Sequence, residues 1–355
     1  MKILAFETSC DDTAVAIVKN GTRVLSSVRV SQVEHEAWGG VVPEIAARLH
    51  AEAWRPVLEQ ALAEAHLKMT DIDYLAVTQG PGLQTSLLSG TTAASFLSLL
   101  YQIPLIPVHH VYGHLCSVFL EREATDINFP ALVLTASGGH TEFYLWEDAM
   151  TWQKLGRSLD DAVGEAFDKT AKMLGLGYPG GPLISKRAEM GDRKKYNLPI
   201  PNLGKGSFDL SFSGIKSAVR RLVEKEREKI ETGLGTSALD LRPVSFSDTF
   251  INDVCASFEE TCGRVFIKKL KLILEAHPAV KDFYFVGGVS ANTYLNKVLS
   301  RFLQERSVNI KKPKQLEYST DNAAMIASGA YWQLKNDTIK KPTVEYLEAV
   351  PRLSL

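Results

Sequence analysis

The stretch Lys2-Ile3-Leu4-Ala5-Phe6-Glu7-Thr8-Ser9-Cys10-Asp11-Asp12-Thr13-Ala14-Val15-Ala16-Ile17-Val18 decides the fold. Lys2 to Glu7 is a short apolar run bounded by polar residues and reads as a strand. Thr8 to Asp12 is a tight polar turn, and Thr13 to Val18 is a second strand. Arg23 to Val30 alternates in character and adds a third. Three consecutive antiparallel strands, with small hydroxyl and acidic residues in the first hairpin, suggest a ribonuclease-H-like lobe.

Outward from there, Gly39-Gly40 breaks the chain. Pro43 to Ala65 then carries apolar residues at helical spacing (Ile45, Ala46, Leu49, Ala53, Val57, Leu58, Leu62). Tyr74 to Thr78 reads as a buried strand, Gln84 to Leu100 as a buried helix and Leu105 to Val108 as a strand. Strand-strand-strand-helix-strand-helix-strand is the order of one lobe of an actin-like fold. From Leu75 to Leu120 there is no Asp, Glu, Lys or Arg, a length that invites a membrane-spanning reading. Gly80-Pro81-Gly82, Gly90, Pro104, Pro107 and scattered Ser, Thr and Gln argue for a core segment instead.

The order recurs. Ala131 to Ala136 is apolar, Ser137-Gly138-Gly139-His140 is a turn, and Glu142 to Trp146 is the returning strand. Hairpins that hold phosphate need small residues there, because backbone N–H groups must approach the anion closely. Leu159 to Lys169 opens a helix with acids at its start, as the macrodipole favours. Tyr178-Pro179-Gly180-Gly181-Pro182 is a rigid turn. Phe208 to Lys216 leads into a helix that ends on a charged run, Glu224 to Lys229. Glu231 to Arg242 is loop-like, and Ser247 to His277 is a long helix. Phe283 to Val286 is a strand, followed by Gly287-Gly288 and a helix beginning near Ser290, where a nucleoside can lie against backbone. Thr320 or Asp321 is a natural N-cap for a last helix rich in small residues.

Pro107-Val108-His109-His110-Val111-Tyr112-Gly113-His114 holds three of the eight histidines. If a helix opens near His110, His110 and His114 stack on one face. Two neutral imidazoles can take two corners of a metal site, the rest falling to a distant carboxylate, water or ligand. The alternative is a helix start whose histidines cap backbone groups.

Bulk properties set limits. With 355 residues, 45% hydrophobic and 23% charged, the chain suits about two domains of ordinary size. A formal net charge of -1 gives no global field for nucleic acid, so any such contact must use local patches. Short basic clusters stand at Arg193-Lys194-Lys195 and Lys311-Lys312-Pro313-Lys314, where a solvated loop is the plain reading. Four scattered cysteines without a C-x-x-C pair fit cytoplasmic usage rather than a disulfide framework. Cys10 reads as a small buried thiol.

Glu7-Thr8-Ser9-Cys10-Asp11-Asp12-Thr13, Gly40-Val41-Val42-Pro43-Glu44, Gly80-Pro81-Gly82-Leu83, His109-His110-x-x-Gly113-His114, Ser137-Gly138-Gly139-His140-Thr141, Phe167-Asp168-Lys169, Tyr178-Pro179-Gly180-Gly181-Pro182, Phe212-Ser213-Gly214-x-Lys216, Gly287-Gly288-Val289-Ser290-Ala291-Asn292 and Thr320-Asp321-Asn322 occur in that order. From Met1 to about Ala330 the chain resembles the TsaD family of tRNA N6-adenosine threonylcarbamoyltransferases. The resemblance implies an α/β, two-lobed actin/Hsp70-like (ASKHA) fold with duplicated ribonuclease-H-like lobes and an interlobe cleft. Residues 1–115 with about 322–355 would form the N-terminal lobe, and about 116–321 the C-terminal lobe.

The resemblance further implies one divalent metal, Fe(2+) in preference to Zn(2+), on His110, His114 and Asp321. L-threonylcarbamoyl-AMP would contact Thr135, Ala136, Ser137, Gly138, Gly139, Asp168, Gly181 and Asn292. From the chemistry of the residue types rather than from the resemblance, Asp11 or Asp12 is the candidate to orient or deprotonate the acceptor amine of the tRNA adenosine. Expected partners are tRNA, a TsaB-like paralogue and a TsaE-like ATPase, with no membrane and a cytoplasmic location.

Rival readings are weaker. A small-molecule kinase of the same fold has no evident use for the His–His–Asp set. A zinc peptidase of the H-E-x-x-H kind needs a glutamate where this chain has Val111. A non-enzymatic clamp does not explain why all three ligands are retained.

Overall fold

A computed structural model describes residues 1–353 except 39, 123–125, 127, 149–150, 205, 234–244 and 336–341. The chain divides into two compact units, Met1–Asn128 with Asp148–Thr151 and Lys311–Leu355, and Phe129–Glu147 with Trp152–Ile310. The divisions near 128 and 310 differ from those expected at 115 and about 321. Leu120, beyond the first expected boundary, and Tyr318, before the second, both join the core of unit 1.

Unit 1 holds a mixed sheet in the order β3-β2-β1-β4-β5. Its strands are β1 (Lys2–Glu7), β2 (Asp12–Lys19), β3 (Arg23–Ser31), β4 (Tyr74–Gly80) and β5 (Leu105–His109). β1 runs antiparallel to β2 and parallel to β4. Alternate residues of β1 enter two different cores: Leu4 and Phe6 on one face, Ile3 and Ala5 on the other. A strand covered on both faces needs a continuous apolar run, which is why Ile3–Phe6 shows no polar alternation. Helices α1 (Pro43–Glu64) and α2 (Gln84–Tyr101) cover the first face; α3 (His110–Cys116) and α9 (Ala323–Lys335) pack together on the other.

Unit 2 repeats the plan in the order β10-β9-β6-β7-β8. The strands are β6 (Ala131–Ala136), β7 (Thr141–Trp146), β8 (Trp152–Arg157), β9 (Asp282–Val286) and β10 (Asn309–Lys311). β6, β7 and β8 form the antiparallel trio, and β9 pairs with β6 in parallel. Between them come α4 (Val163–Met173), α5 (Gly180–Ala188), α6 (Ser213–Gly233), α7 (Asp248–Ala276) and α8 (Thr293–Gln304).

Several elements depart from the sequence reading. The expected rigid turn at 178–182 is the start of α5: Gly180 is buried, and a Cβ there would lie 2.7 Å from Asp168 Cα and 2.7 Å from Ala171 Cβ. The helix expected from Leu159 begins at Val163, because Asp160 and Asp161 are drawn aside. Asp160 accepts from Ser211, Phe212 and Ser213, and Asp161 pairs with Lys169 and Lys216. The helix expected near Ser290 begins at Thr293, after a 3-10 turn over Gly288–Ala291. Residues 231–233 of the expected loop finish α6, and its remainder falls outside the described residues, as does Gly39.

Helix α2 buries small and hydroxylic residues (Ser86, Gly90, Thr91, Ser95, Ser98) together with Leu87 and Leu97, whereas Leu88, Phe96, Leu99 and Leu100 are exposed. Close approach explains the small side: a Cβ on Gly90 would sit 2.3 Å from Thr8 Oγ1. No helix among the described residues is long and apolar enough to cross a membrane.

Residues 343–353 carry no recognisable motif yet are tied to the sheet ends. Leu105 N–H donates to the Thr343 carbonyl, Leu347 N–H to Ser95 Oγ, Val350 N–H to the Gln79 carbonyl and Gly82 N–H to the Pro351 carbonyl.

Candidate metal centre and substrate-binding turn

β5 delivers the histidines to the start of α3. His109 is the N-cap: its Nδ1 accepts from Val111 N–H at 3.1 Å. Capping is therefore the role of one histidine, and it leaves His110 and His114 for another. Both are buried, at 5% and 0% exposure, with ring centroids 4.7 Å apart. Gly113 lets α3 close on α9, since a Cβ there would meet Ile326 Cδ1 at 2.7 Å. At the start of α9 the cap is Asn322, not the expected Thr320 or Asp321; its Oδ1 accepts from Met325 N–H at 2.9 Å. Asp321 is thereby left to face the histidines.

The three ligand atoms lie within 4.8 Å of one another. Asp321 Oδ1 is 3.1 Å from His114 Nε2 and 3.6 Å from His110 Nε2. Among the described residues neither ring nitrogen of His114 has a hydrogen-bond partner although both are buried, which is costly for polar atoms without another partner. Burial disfavours a charged His110, but the carboxylates of Glu7 and Asp321 outweigh it and raise its pKa to about 9. Burial likewise acts to raise Glu7, and the His110 imidazolium overcomes it, so the Glu7 carboxyl is held below its ordinary value. Two carboxylates flanking buried imidazoles favour a cation between them, whether a proton or a metal ion. Two imidazoles and a carboxylate are a donor set that suits iron or zinc.

Glu7 is the residue that sequence reading missed as part of this site. Its Oε2 lies 3.1 Å from His110 Nδ1 and accepts from Thr78 Oγ1; its Oε1 accepts from Ser9 N–H at 2.7 Å. A carboxylate on the far nitrogen fixes the imidazole's orientation and strengthens it as a ligand. The available signal was one acid closing an apolar strand beside a polar turn.

Asp12 is already engaged, by Ser31 Oγ and by Arg29, whose guanidinium reaches 3.6 Å from it and donates to Thr320 Oγ1 at 2.6 Å. Burial, opposed by Ser31 and Arg29, raises the Asp12 pKa to about 6. The Asp11 carbonyl accepts from Gln32 N–H, which anchors the turn. Burial, with nearby Asp11 and Asp321, pushes the Cys10 thiol well up, so it is not poised as a nucleophile.

In unit 2, Thr135 and Ala136 close β6 with no exposed surface, and the turn beyond them is built on backbone. Ser137 N–H donates to the His140 carbonyl, and Gly164 N–H to the Ser137 carbonyl. Gly164 must be glycine for α4 to start so close, because a Cβ would lie 2.5 Å from the Ser137 oxygen. Gly138 and Gly139 are exposed, and a Cβ on either would meet nothing within 4 Å. Asp168 on α4 accepts from Gly180 N–H at 2.7 Å, next to Gly181 in the first turn of α5. Asn292 caps α8 through Oδ1, and its amide donates to Ser185 Oγ and Glu259 Oε1.

Comparison with known proteins agrees with this architecture. A family model described as "TsaD: tRNA N6-adenosine threonylcarbamoyltransferase" matches residues 23–328. A tRNA N6-adenosine threonylcarbamoyltransferase of Bacillus licheniformis is 44% identical over 92% of this chain and 90% of its own. One of Caldicellulosiruptor saccharolyticus is 42% identical over 100% and 98%. Among solved structures, T. kodakarensis HypF superposes with a TM-score of 0.58 at 13% identity, over 94% of this chain and 48% of that one. Component A of the Acidaminococcus fermentans (R)-2-hydroxyglutaryl-CoA dehydratase does so at 0.50 and 16%, over 96% and 100%. These distant likenesses bear on the fold, which is the two-lobed actin/Hsp70-like one. With the family matched across most of its length and relatives above 40% identity over nearly all of it, the chain belongs to the TsaD family of tRNA N6-adenosine threonylcarbamoyltransferases.

Proposed function

We propose that this chain transfers the threonylcarbamoyl group of L-threonylcarbamoyl-AMP to N6 of the adenosine just 3′ of the anticodon, in tRNAs reading codons that begin with A. The products are N6-threonylcarbamoyladenosine and AMP. Within a chain of this family, the observation that carries the reading is the His110–His114–Asp321 cluster, its histidines buried and its carboxylate half-buried, with Glu7 behind it. The rival kinase of the same architecture leaves that cluster without a use.

The donor is a mixed anhydride, already a good electrophile, so the protein's tasks are to bind, orient and accept a proton. The N–C bond forms as the carbamoyl–phosphate C–O bond breaks, and AMP leaves with the electron pair. A metal on His110, His114 and Asp321, Fe(2+) in preference to Zn(2+), would supply Lewis acidity toward a carbamoyl or phosphate oxygen. The exposed Gly138 and Gly139 offer backbone N–H groups to a phosphate without side-chain obstruction. Thr135 and Ala136 support that turn from the core, while Ser137, Asp168, Gly181 and Asn292 complete the proposed donor site. Asp11 and Asp12 are the candidates to receive the amine proton. Because Asp12 already holds Arg29, Asp11→Asn is the more telling substitution.

The test is direct. Purified chain, with and without helper proteins, receives L-threonylcarbamoyl-AMP and unmodified tRNA, and the nucleosides are read by mass spectrometry. Modified adenosine that disappears with His110→Ala is the expected result. No product with helpers present overturns the reading.

The helpers would be a TsaB-like paralogue and a TsaE-like ATPase, and the reaction would proceed in the cytoplasm. The exposed apolar face of α2 supports docking of the paralogue: Leu88 and Phe96, with Ala51 and Trp54 of α1, line a groove of about 480 Å³. An apolar patch left on a folded surface marks an interaction site. Phe96→Asp is expected to leave metal binding intact and to cut helper-dependent stimulation by about tenfold or more, as for a central anchor. Unchanged stimulation in the same transfer assay would remove α2 from consideration.

A further inference from the structure

Away from the residues discussed so far, unit 2 carries an exposed groove of about 730 Å³ bounded by Lys195, Tyr196, Arg221, Leu222, Lys225 and Arg264, with no acidic residue in its lining. The four cations come from three places: the segment after α5, helix α6 and helix α7. All four are exposed, and none makes a side-chain hydrogen bond or ion pair among the described residues. Their neighbours behave differently. On α6, Arg220 pairs with Glu224 at 2.8 Å and Lys229 with Glu226 at 2.7 Å. In the Arg193-Lys194-Lys195 cluster, Arg193 turns inward to Glu259 at 2.8 Å and lies 3.4 Å over the Tyr294 ring. That cluster is therefore split between an internal pair and the groove.

Arg221 and Lys225 are like charges four apart on one helix, an arrangement that costs stability when nothing neutralises it. On a chain of net charge -1, four unneutralised cations around one concavity are a local positive field of the kind a polyanion relieves. The large apolar residues of its lining, Tyr196, Leu198, Ile200 and Leu222, are buried or half-buried, and none of the chain's exposed large hydrophobic side chains stands in it, so the cations are its most accessible groups. Its cations are spread across three segments, which suits an extended backbone better than one compact anion.

We propose that this groove binds the phosphodiester backbone of the tRNA substrate. The proposal rests on the tRNA reading above. It adds a positioning surface, since phosphate contacts fix register without reading sequence.

The test is tRNA binding by fluorescence anisotropy across a salt series, using the full chain and Lys195→Gln/Arg221→Gln/Lys225→Gln. The control Lys271→Gln/Lys297→Gln/Arg301→Gln removes the same charge from exposed positions outside the groove. The groove variant is expected to bind at least about tenfold more weakly near 0.1 M salt. Its slope of log affinity against log salt should shrink in magnitude by about 2, from roughly 0.7–0.9 per lost phosphate contact. Metal content should be unchanged in both variants. Equal affinity and slope in groove and control variants overturn the proposal while leaving the transferase reading intact. So does tRNA affinity that is retained while binding of a helper protein is lost. A wild-type chain that neither binds nor modifies tRNA sinks both.

Discussion

His114→Ala is expected to yield a folded chain without bound metal and with transfer activity below about 1% of the parent. The imidazole is fully buried, neither ring nitrogen has a hydrogen-bond partner among the described residues, and Nε2 faces Asp321 at 3.1 Å. Alanine removes a ligand and offers no replacement. Glu7→Gln is a finer probe, because it keeps the shape behind His110 and deletes the charge. Loss of such a partner typically weakens metal affinity about 10–100-fold. Metal per chain by elemental analysis and nucleoside yield by mass spectrometry read both variants. Full metal content in His114→Ala would falsify the cluster as the metal site.

A pH signature accompanies the Glu7 variant when metal is removed by chelation. The pKa of His110 is raised to about 9 by Glu7 and Asp321 against the opposing effect of burial. A raised histidine pKa adds stability that is fully present below the unfolded value of about 6.5 and is lost as pH climbs through the folded one. The chelated parent should therefore lose stability between about pH 6.5 and 9. Glu7→Gln should flatten that decline, as followed by thermal unfolding at fixed ionic strength.

Gly287→Ala is the second large effect, this time on stability. Gly287 has φ +87 and ψ 164, a region open essentially to glycine alone. An added Cβ would also lie 2.4 Å from the Ala136 carbonyl oxygen. Strain and clash together should cost about 3 kcal/mol or more. That corresponds to a fall of roughly 6–12 °C in the melting of unit 2, at 2–4 °C per kcal/mol for a unit of this size. Gly138→Ala is the contrast, since its Cβ meets nothing and stability should move by no more than about 0.5 kcal/mol. Equal melting temperatures for the two variants would refute the argument.

What could be read from sequence was whatever local chemistry dictates. Ile3–Phe6, Thr13–Val18, Ala131–Ala136 and Phe283–Val286 are apolar runs between polar turns, and each is a strand. His110 and His114 were legible as a pair because α3 begins where the strand feeds it, while Asp321 was joined to them through the family resemblance. Other features depend on distant partners. β8 is half exposed and reads Trp-Gln-Lys-Leu-Gly-Arg, with no apolar pattern to mark it. Asn322 displaced Asp321 as the cap because Asp321 is turned to histidines two hundred residues away in sequence. Glu7 looked like a strand end until His110 Nδ1 was seen against it. Gly90 within α2 carries no local signal of its own, because a small residue is required there only where another segment, Thr8, comes close.

Unit 1 is discontinuous, and this sets an order of assembly during synthesis. Its sheet is encoded by residue 109, yet one face is covered by Ala323, Ala324, Met325, Ile326, Ala327 and Ala330 of α9, and Asp321 arrives just before them. The whole of β6 to β9 must be translated first. At about 5–20 residues per second this leaves that apolar face uncovered for roughly 10–40 s. The nascent sheet is thus an aggregation-prone intermediate and a natural client for chaperones. The His110–His114–Asp321 donor set is complete only near the end of translation, so a metal held by these three residues would be loaded at the last stage of maturation.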